Sequence, residues 1–151
     1  MALADAGSLD CGQPFWTGTP SQWMGIVDGN AQEYITNGCQ DVAVQNLVGP
    51  NSAAGVPKAA VVRVFDFGTS ANAAAMLADI NSLDTSQGLT PAALPGYSMS
   101  TAFGVSAISG INTFGCSGQY YFEVELTGYG SDITTPPNDA ASFFQVLIGK
   151  I

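Results

Sequence analysis

Glu123 and Glu125 stand two residues apart in G-Q-Y-Y-F-E-V-E-L-T-G. On an extended strand alternate residues share a face, which places the two β-carbons ~7 Å apart. Two carboxylates at that separation suit acid/base work of the glycosidase kind. Such pairs come as a rule from separate elements around a cleft, so the competing readings are a solvated sheet face or a salt link to Arg63. Arg63 lies in A-A-V-V-R-V-F-D-F-G, a run apolar on both faces. A cation there calls for a carboxylate partner, with Asp66, Glu33, Glu123 or Glu125 the options, and its expected role is structural.

The second candidate chemistry is sulfur. T-N-G-C at Thr36 to Cys39 recurs as T-F-G-C at Thr113 to Cys116. This Thr-x-Gly-Cys pattern reads as equivalent turns in two related halves. Three cysteines allow three single pairings and always leave one thiol over. In an exported protein a disulfide is the leading expectation, Cys39 with Cys116 ahead of either paired with Cys11, and buried free thiols are the alternative. A nucleophilic cysteine lacks a histidine partner, and a structural zinc site lacks a fourth ligand outside the carboxylates.

Composition excludes more than it suggests. The 151 residues contain no histidine, three Lys and Arg against twelve Asp and Glu, and a formal net charge of −9. Without histidine the usual triads and most zinc sites disappear. Lys58 and Lys150 lack the Gly-rich setting of a phosphate loop. Three cations cannot neutralise a phosphate backbone or hold an anionic membrane surface, and the longest uncharged stretch, from Thr85 up to Glu123, is broken by Gly, Pro, Ser and Asn, so neither nucleic acid nor membrane insertion is expected. No cofactor is implied. Asp28-Gly29-Asn30 and Ser131-Asp132 carry oxygen ligands but not calcium-loop spacing, so they read as turns and no metal site is assigned. MALADAGSLDC has no basic n-region and no apolar core, so any natural targeting segment is expected to be absent from this chain. Low charge and neutral polar residues point to an extracellular or periplasmic setting.

The elements that must position these residues follow from periodicity. Residues 1–25 hold prolines, glycines and the aromatics Phe15, Trp16 and Trp23 without a sustained period, and read as an irregular arm. Ala31 to Thr36 and Val42 to Val48 flank Asn37-Gly38 and read as a hairpin. Ala59 to Gly68 reads as an inner strand. Thr69 or Ser70 caps a helix in which Ala73, Met76, Leu77 and Ile80 form the apolar stripe, ending near Asn81 to Leu83. Thr85 to Met99 reads as a linker between halves. Phe103 to Ile108 and Ile111 to Phe114 are short strands. The longest strand puts Tyr120, Phe122, Val124 and Leu126 on a buried face and Tyr121, Glu123, Glu125 and Thr127 on a face open to solvent. Asn138 caps a closing helix with Ala140, Phe143, Phe144, Leu147, Ile148 and Ile151 on its apolar stripe. The expected fold is α+β: one antiparallel sheet from two β-β-β-α halves, 26–84 and 97–151, covered by two helices. Residues 26–151 form a single domain behind the aromatic arm.

V-D-G-N-A-Q-E-Y-I-T-N-G-C, then V-V-R-V-F-D-F-G-T-S-A-N-A-A-A-M-L, then G-Q-Y-Y-F-E-V-E-L and a final amphipathic helix resemble an uncharacterised family of bacterial exported α+β domains of unknown function, over residues 26–151. The resemblance implies export and an α+β fold, and it carries over no catalytic residue. Y-Y-F-E-V-E-L is also similar to a strand of SPRY-type recognition domains, but those are longer all-β sandwiches without the two helices.

Three functions are weighed. The first is a non-catalytic exported domain, or envelope component, that binds a protein partner or ligand through the aromatic arm and the Tyr121, Glu123, Glu125 face. The second is a small carbohydrate-binding module using Trp16, Trp23 and Tyr121. The third is a carboxylate-dependent hydrolase.

Overall fold

A computed structural model describes residues 16–19, 22, 31–48, 58–86, 91–94, 96–105, 110–129 and 136–150. The elements among them are β1 (Trp16–Gly18), α1 (Ala31–Thr36), β2 (Asp41–Val48), β3 (Ala59–Asp66), α2 (Ser70–Ser86), β4 (Pro91–Leu94), β5 (Tyr97–Val105), β6 (Gly110–Ser117), β7 (Tyr120–Thr127) and α3 (Pro136–Ile148). The seven strands make one sheet in the order β1-β2-β3-β7-β6-β5-β4, every neighbouring pair antiparallel. The α+β class and the antiparallel sheet are as the sequence predicts. The two strands that precede the long helices, β3 and β7, are partners at its centre, with Val62 opposite Val124 and Arg63 opposite Glu123.

Register assigns the two faces of the sheet. Ala60 and Val62 on β3 sit beside Val124 and Leu126 on β7, and these residues form one buried cluster with Ala140, Phe143 and Phe144 of α3. Val42, Phe65 and Tyr121 occupy the alternate positions. They cluster instead with Ala31 and Tyr34 of α1 and with Ala73, Met76, Leu77 and Ile80 of α2. The sheet therefore lies between α1 and α2 on one side and α3 on the other. Cover on both faces explains why β3 is apolar throughout, a pattern more usual in parallel sheets. It also corrects the expectation that the Tyr121, Glu123, Glu125 side of β7 is open: Tyr121 is 0% and Glu123 7% exposed.

The predicted stripe of α2 is buried at all four positions, Ala73, Met76, Leu77 and Ile80. Thr69 caps the helix, its Oγ1 accepting from the Asn72 amide at 3.2 Å. The helix continues to Ser86, beyond the predicted end. α3 begins at Pro136, two residues before Asn138; proline suits a first helical turn because its missing N–H would have no intrahelical partner there.

Within the arm expected to be irregular, Trp16–Gly18 forms the edge strand β1 against β2, and three further expectations are overturned. Ala31–Thr36 is a helical turn, not a hairpin strand. Asn37-Gly38 ends this helix: the Gly38 amide bonds to the Ile35 carbonyl and the Cys39 amide to the Tyr34 carbonyl, both at 2.9 Å. That pattern is a Schellman cap, with Gly38 at φ 84°. A hairpin turn and a helix C-cap make the same demand for a left-handed glycine, so the dipeptide alone does not separate them. Secondly, the supposed linker contains β4 and the start of β5, turning at Gly96. Thirdly, Thr113–Cys116 lies inside β6, so the two Thr-x-Gly-Cys runs are not equivalent turns.

Candidate functional site

On the α1/α2 face β3 and β7 bring Arg63, Glu123 and Glu125 together. Arg63 Nη1 donates to Glu123 Oε2 at 3.3 Å, and Nη2 lies 3.8 Å from Glu125 Oε2. Of the four carboxylates the sequence offered to Arg63, it takes these two. From α1 above, the Tyr34 hydroxyl donates to Glu123 Oε1. Both oxygens of Glu123 are thus engaged. Burial pushes the Glu123 carboxyl above its ordinary value, opposed by the Arg63 guanidinium and by the hydrogen bond from Tyr34. Burial, reinforced by the negative charge on Glu123, holds the Tyr34 phenol well above the usual tyrosine range. Tyr34 had no assigned role in the sequence because its segment was read as a strand.

Beside this cluster a cleft of about 70 Å³ is lined by Arg63, Asn112, Thr113, Phe114, Glu123, Val124 and Glu125. That is well below the ~300–1,000 Å³ of ordinary ligand sites. Glu123 and Glu125 therefore face a volume too small for a sugar ring, and both lean on one guanidinium from a single strand. Tyr121, the predicted stacking surface, is enclosed by the rings of Tyr34 at 6.1 Å, Phe65 at 5.7 Å, Phe67 at 6.1 Å and Phe114 at 6.4 Å. It is a core residue. Trp16 takes the register position opposite Val44 in β1. Trp23, Cys11, Asp28 to Asn30 and Ser131-Asp132 lie outside the described residues.

Cys39 and Cys116 are free thiols, which corrects the expected Cys39–Cys116 bridge. Cys39 leads into β2 and Cys116 sits in β6, with β3 and β7 between them. Three strand spacings of ~4.8 Å separate such positions by about twice the Cα distance a disulfide spans. Burial pushes the Cys39 thiol up to about 12; its hydrogen bond to the Asp41 carbonyl opposes this, and the charges of Asp66 and Asp41 add to it. Burial raises the Cys116 thiol as well. Neither is poised as a thiolate nucleophile near neutral pH.

The larger concavity lies at the other face, where sequence reading assigned nothing. Asp41 pairs with Asp66, and Asp66 with Tyr120, so the three residues stand side by side across β2, β3 and β7. They share the α3 face with Ala43, two positions after Asp41, and Val64, two positions before Asp66. Asp41, Val42, Ala43, Val64, Asp66 and Tyr120 line an open groove of about 400 Å³. Its wall is braced: Gln119 Nε2 donates to both Asp66 oxygens at 2.8 and 2.9 Å, and the Gly68 amide donates to Oδ1 at 2.7 Å. Asp41 is exposed and Tyr120 half-buried. Only strand register brings these residues together, so no local motif could reveal them.

Fold and geometry together define a class: an α+β domain with an antiparallel sheet between helices, a self-satisfied ionic cluster inside and an open groove outside. Among the described residues no helix is long and apolar enough to cross a membrane, and no group of three His, Cys, Asp or Glu is placed to hold a metal ion. No protein-family model matches the chain, and no curated protein sequence matches it. Among solved structures it is similar to the extracellular domain of PknH from Mycobacterium tuberculosis, with a TM-score of 0.59 and 15% identity over 95% of this chain and 84% of that one. At that identity the likeness concerns the fold alone.

Proposed function

We propose that this chain is a non-catalytic, exported binding domain that recognises a ligand or a protein partner through the groove at Asp41, Asp66 and Tyr120. One observation carries the reading. The carboxylates that could run acid/base chemistry are tied to Arg63 and Tyr34 over a cleft of about 70 Å³, whereas the groove of about 400 Å³ falls within the size range of ligand sites and is built on rigid strands. Export is supported by the low charge of the chain and by its fold likeness to an extracellular domain. A carbohydrate is the alternative ligand, because the half-buried Tyr120 ring stands beside Asp66 and the Gln119 amide. By register with Val44, Trp16 belongs to the opposite face of the sheet, so of the two tryptophans only Trp23 stays a candidate for extending such a platform.

A glycan array and a partner pull-down at physiological ionic strength, run on wild type, Tyr120→Leu and Glu123→Gln, test the reading. Leucine keeps apolar area where Tyr120 packs but removes the aromatic face. The expected result is capture by wild type and by Glu123→Gln, lost in Tyr120→Leu. Glycoside turnover that disappears in Glu123→Gln would establish the hydrolase instead, and capture indifferent to Tyr120→Leu would remove the groove as the site.

A further inference from the structure

Taking the groove as the recognition surface, we infer that its ligand is cationic: an arginine side chain presented by a partner polypeptide, its guanidinium against the Asp41 carboxylate and over the Tyr120 ring.

The first ground is the placement of charge. Asp41 and Asp66 are directly opposite on neighbouring strands, where like charges repel. Asp66 is held in place by Gln119 and Gly68, so it cannot swing away from its neighbour. The chain does not supply the compensating cation. It has three Lys and Arg in all. Arg63 is bound to Glu123 and Glu125 on the opposite face of the sheet. Lys58 precedes the far end of β3, where its amide bonds to the Thr127 carbonyl, some eight residues or ~26 Å along the strand from Asp66. Lys150 follows α3 and, among the described residues, makes no ion pair.

The second ground is independent of the first: the shape and chemistry of the lining. A bare carboxylate pair would suit a small hydrated metal ion. Here the pair opens onto an apolar floor of Ala43 and Val64 and a half-buried tyrosine ring, in a volume of about 400 Å³. An aliphatic stem ending in a planar, weakly hydrated cation matches that sequence of surfaces, since the stem covers Ala43 and Val64 while the guanidinium meets both the ring and a carboxylate.

The test is an amide NMR titration of the full chain with a blocked tetra-arginine peptide, with the matching tetra-citrulline peptide as the uncharged isostere. Shifts are expected at Asp41 to Ala43, Val64 to Asp66 and Tyr120 with the arginine peptide and not with the citrulline one. They should fade as salt rises from ~0.15 to ~0.5 M, because an exposed pair is screened. Asp41→Asn should weaken the affinity about fivefold, the scale of one exposed ion pair. Asp79→Asn, which removes the same charge away from the groove, should leave it unchanged, separating a site from general attraction to an acidic protein. Equal weakening by both variants, or equal binding of the citrulline peptide, would overturn the inference. A glycan captured at Tyr120 without any arginine-peptide shift would overturn it while leaving the groove as the binding surface, and absence of both would overturn the two together.

Discussion

Replacing Arg63 with methionine is expected to destabilise the domain by about 2–4 kcal/mol, while Glu123→Gln costs only about 1 kcal/mol. The asymmetry follows from what each change leaves behind. Methionine keeps the stem of Arg63 but strips Glu123 of its cation, and Glu123 is 7% exposed with Tyr34 as its other partner. A buried carboxylate without its cation is among the costlier defects in a core, moderated here because the group can take up a proton and because the Arg63 side chain is 26% exposed. Glutamine keeps the shape and an oxygen for Tyr34 to donate to, and the freed guanidinium still reaches Glu125. Urea titration at neutral pH measures both. A reversed order would show that Glu123 is held under strain for some other purpose.

Tyr121→Ala is expected to cost about 3–5 kcal/mol, the range for removing a fully buried aromatic ring. Tyr121 is 0% exposed, sits on the central strand and touches Tyr34 of α1, Phe65 and Phe67 in and just after β3, and Phe114 of β6. With total stabilities of ~5–15 kcal/mol common for domains of this size, the variant should unfold some ~10–15 °C earlier. Differential scanning calorimetry on wild type, Tyr121→Ala and Tyr121→Phe checks it. A loss under 1 kcal/mol for alanine would return Tyr121 to the surface and restore it as a stacking platform.

Both expectations turn on residues of β7, Glu123 and Tyr121, that the sequence singled out and then placed on the wrong side of a solvent boundary. The alternation along β7 was readable, as was the stripe of α2, because each spans enough residues for one period to exclude the other. What alternation does not reveal is how many faces the rest of the chain covers. Arg63 held the missing information: a cation in an apolar strand requires a buried carboxylate, and Glu123 is opposite it in register. α1 was missed because six residues are too few to separate helical from extended periodicity, and its glycine cap has the same backbone requirement as a hairpin turn. β4 and β5 were missed because Pro91, Pro95 and Gly96 punctuate a hairpin as readily as a linker. Asp41, Asp66 and Tyr120 come from three strands and become neighbours only through pairing, so the groove was invisible before the sheet was known.

The account divides the molecule into an ionic cluster that serves the scaffold and a groove that serves recognition. The division rests on Glu123 being a buried, engaged carboxyl instead of a solvent-facing acid. A carbon-detected NMR pH titration of the Glu123 side-chain carboxyl tests it most directly. Its midpoint should lie above the ordinary glutamate range, because burial outweighs the pull of Arg63 and Tyr34. The folded protein then holds this proton more tightly than the unfolded chain, so the contribution to stability is present on the acid side and fades as pH rises through the folded value; Glu123→Gln should abolish that fall. A Glu123 midpoint at or below the ordinary glutamate value, unmoved by Tyr34→Phe, would contradict the account.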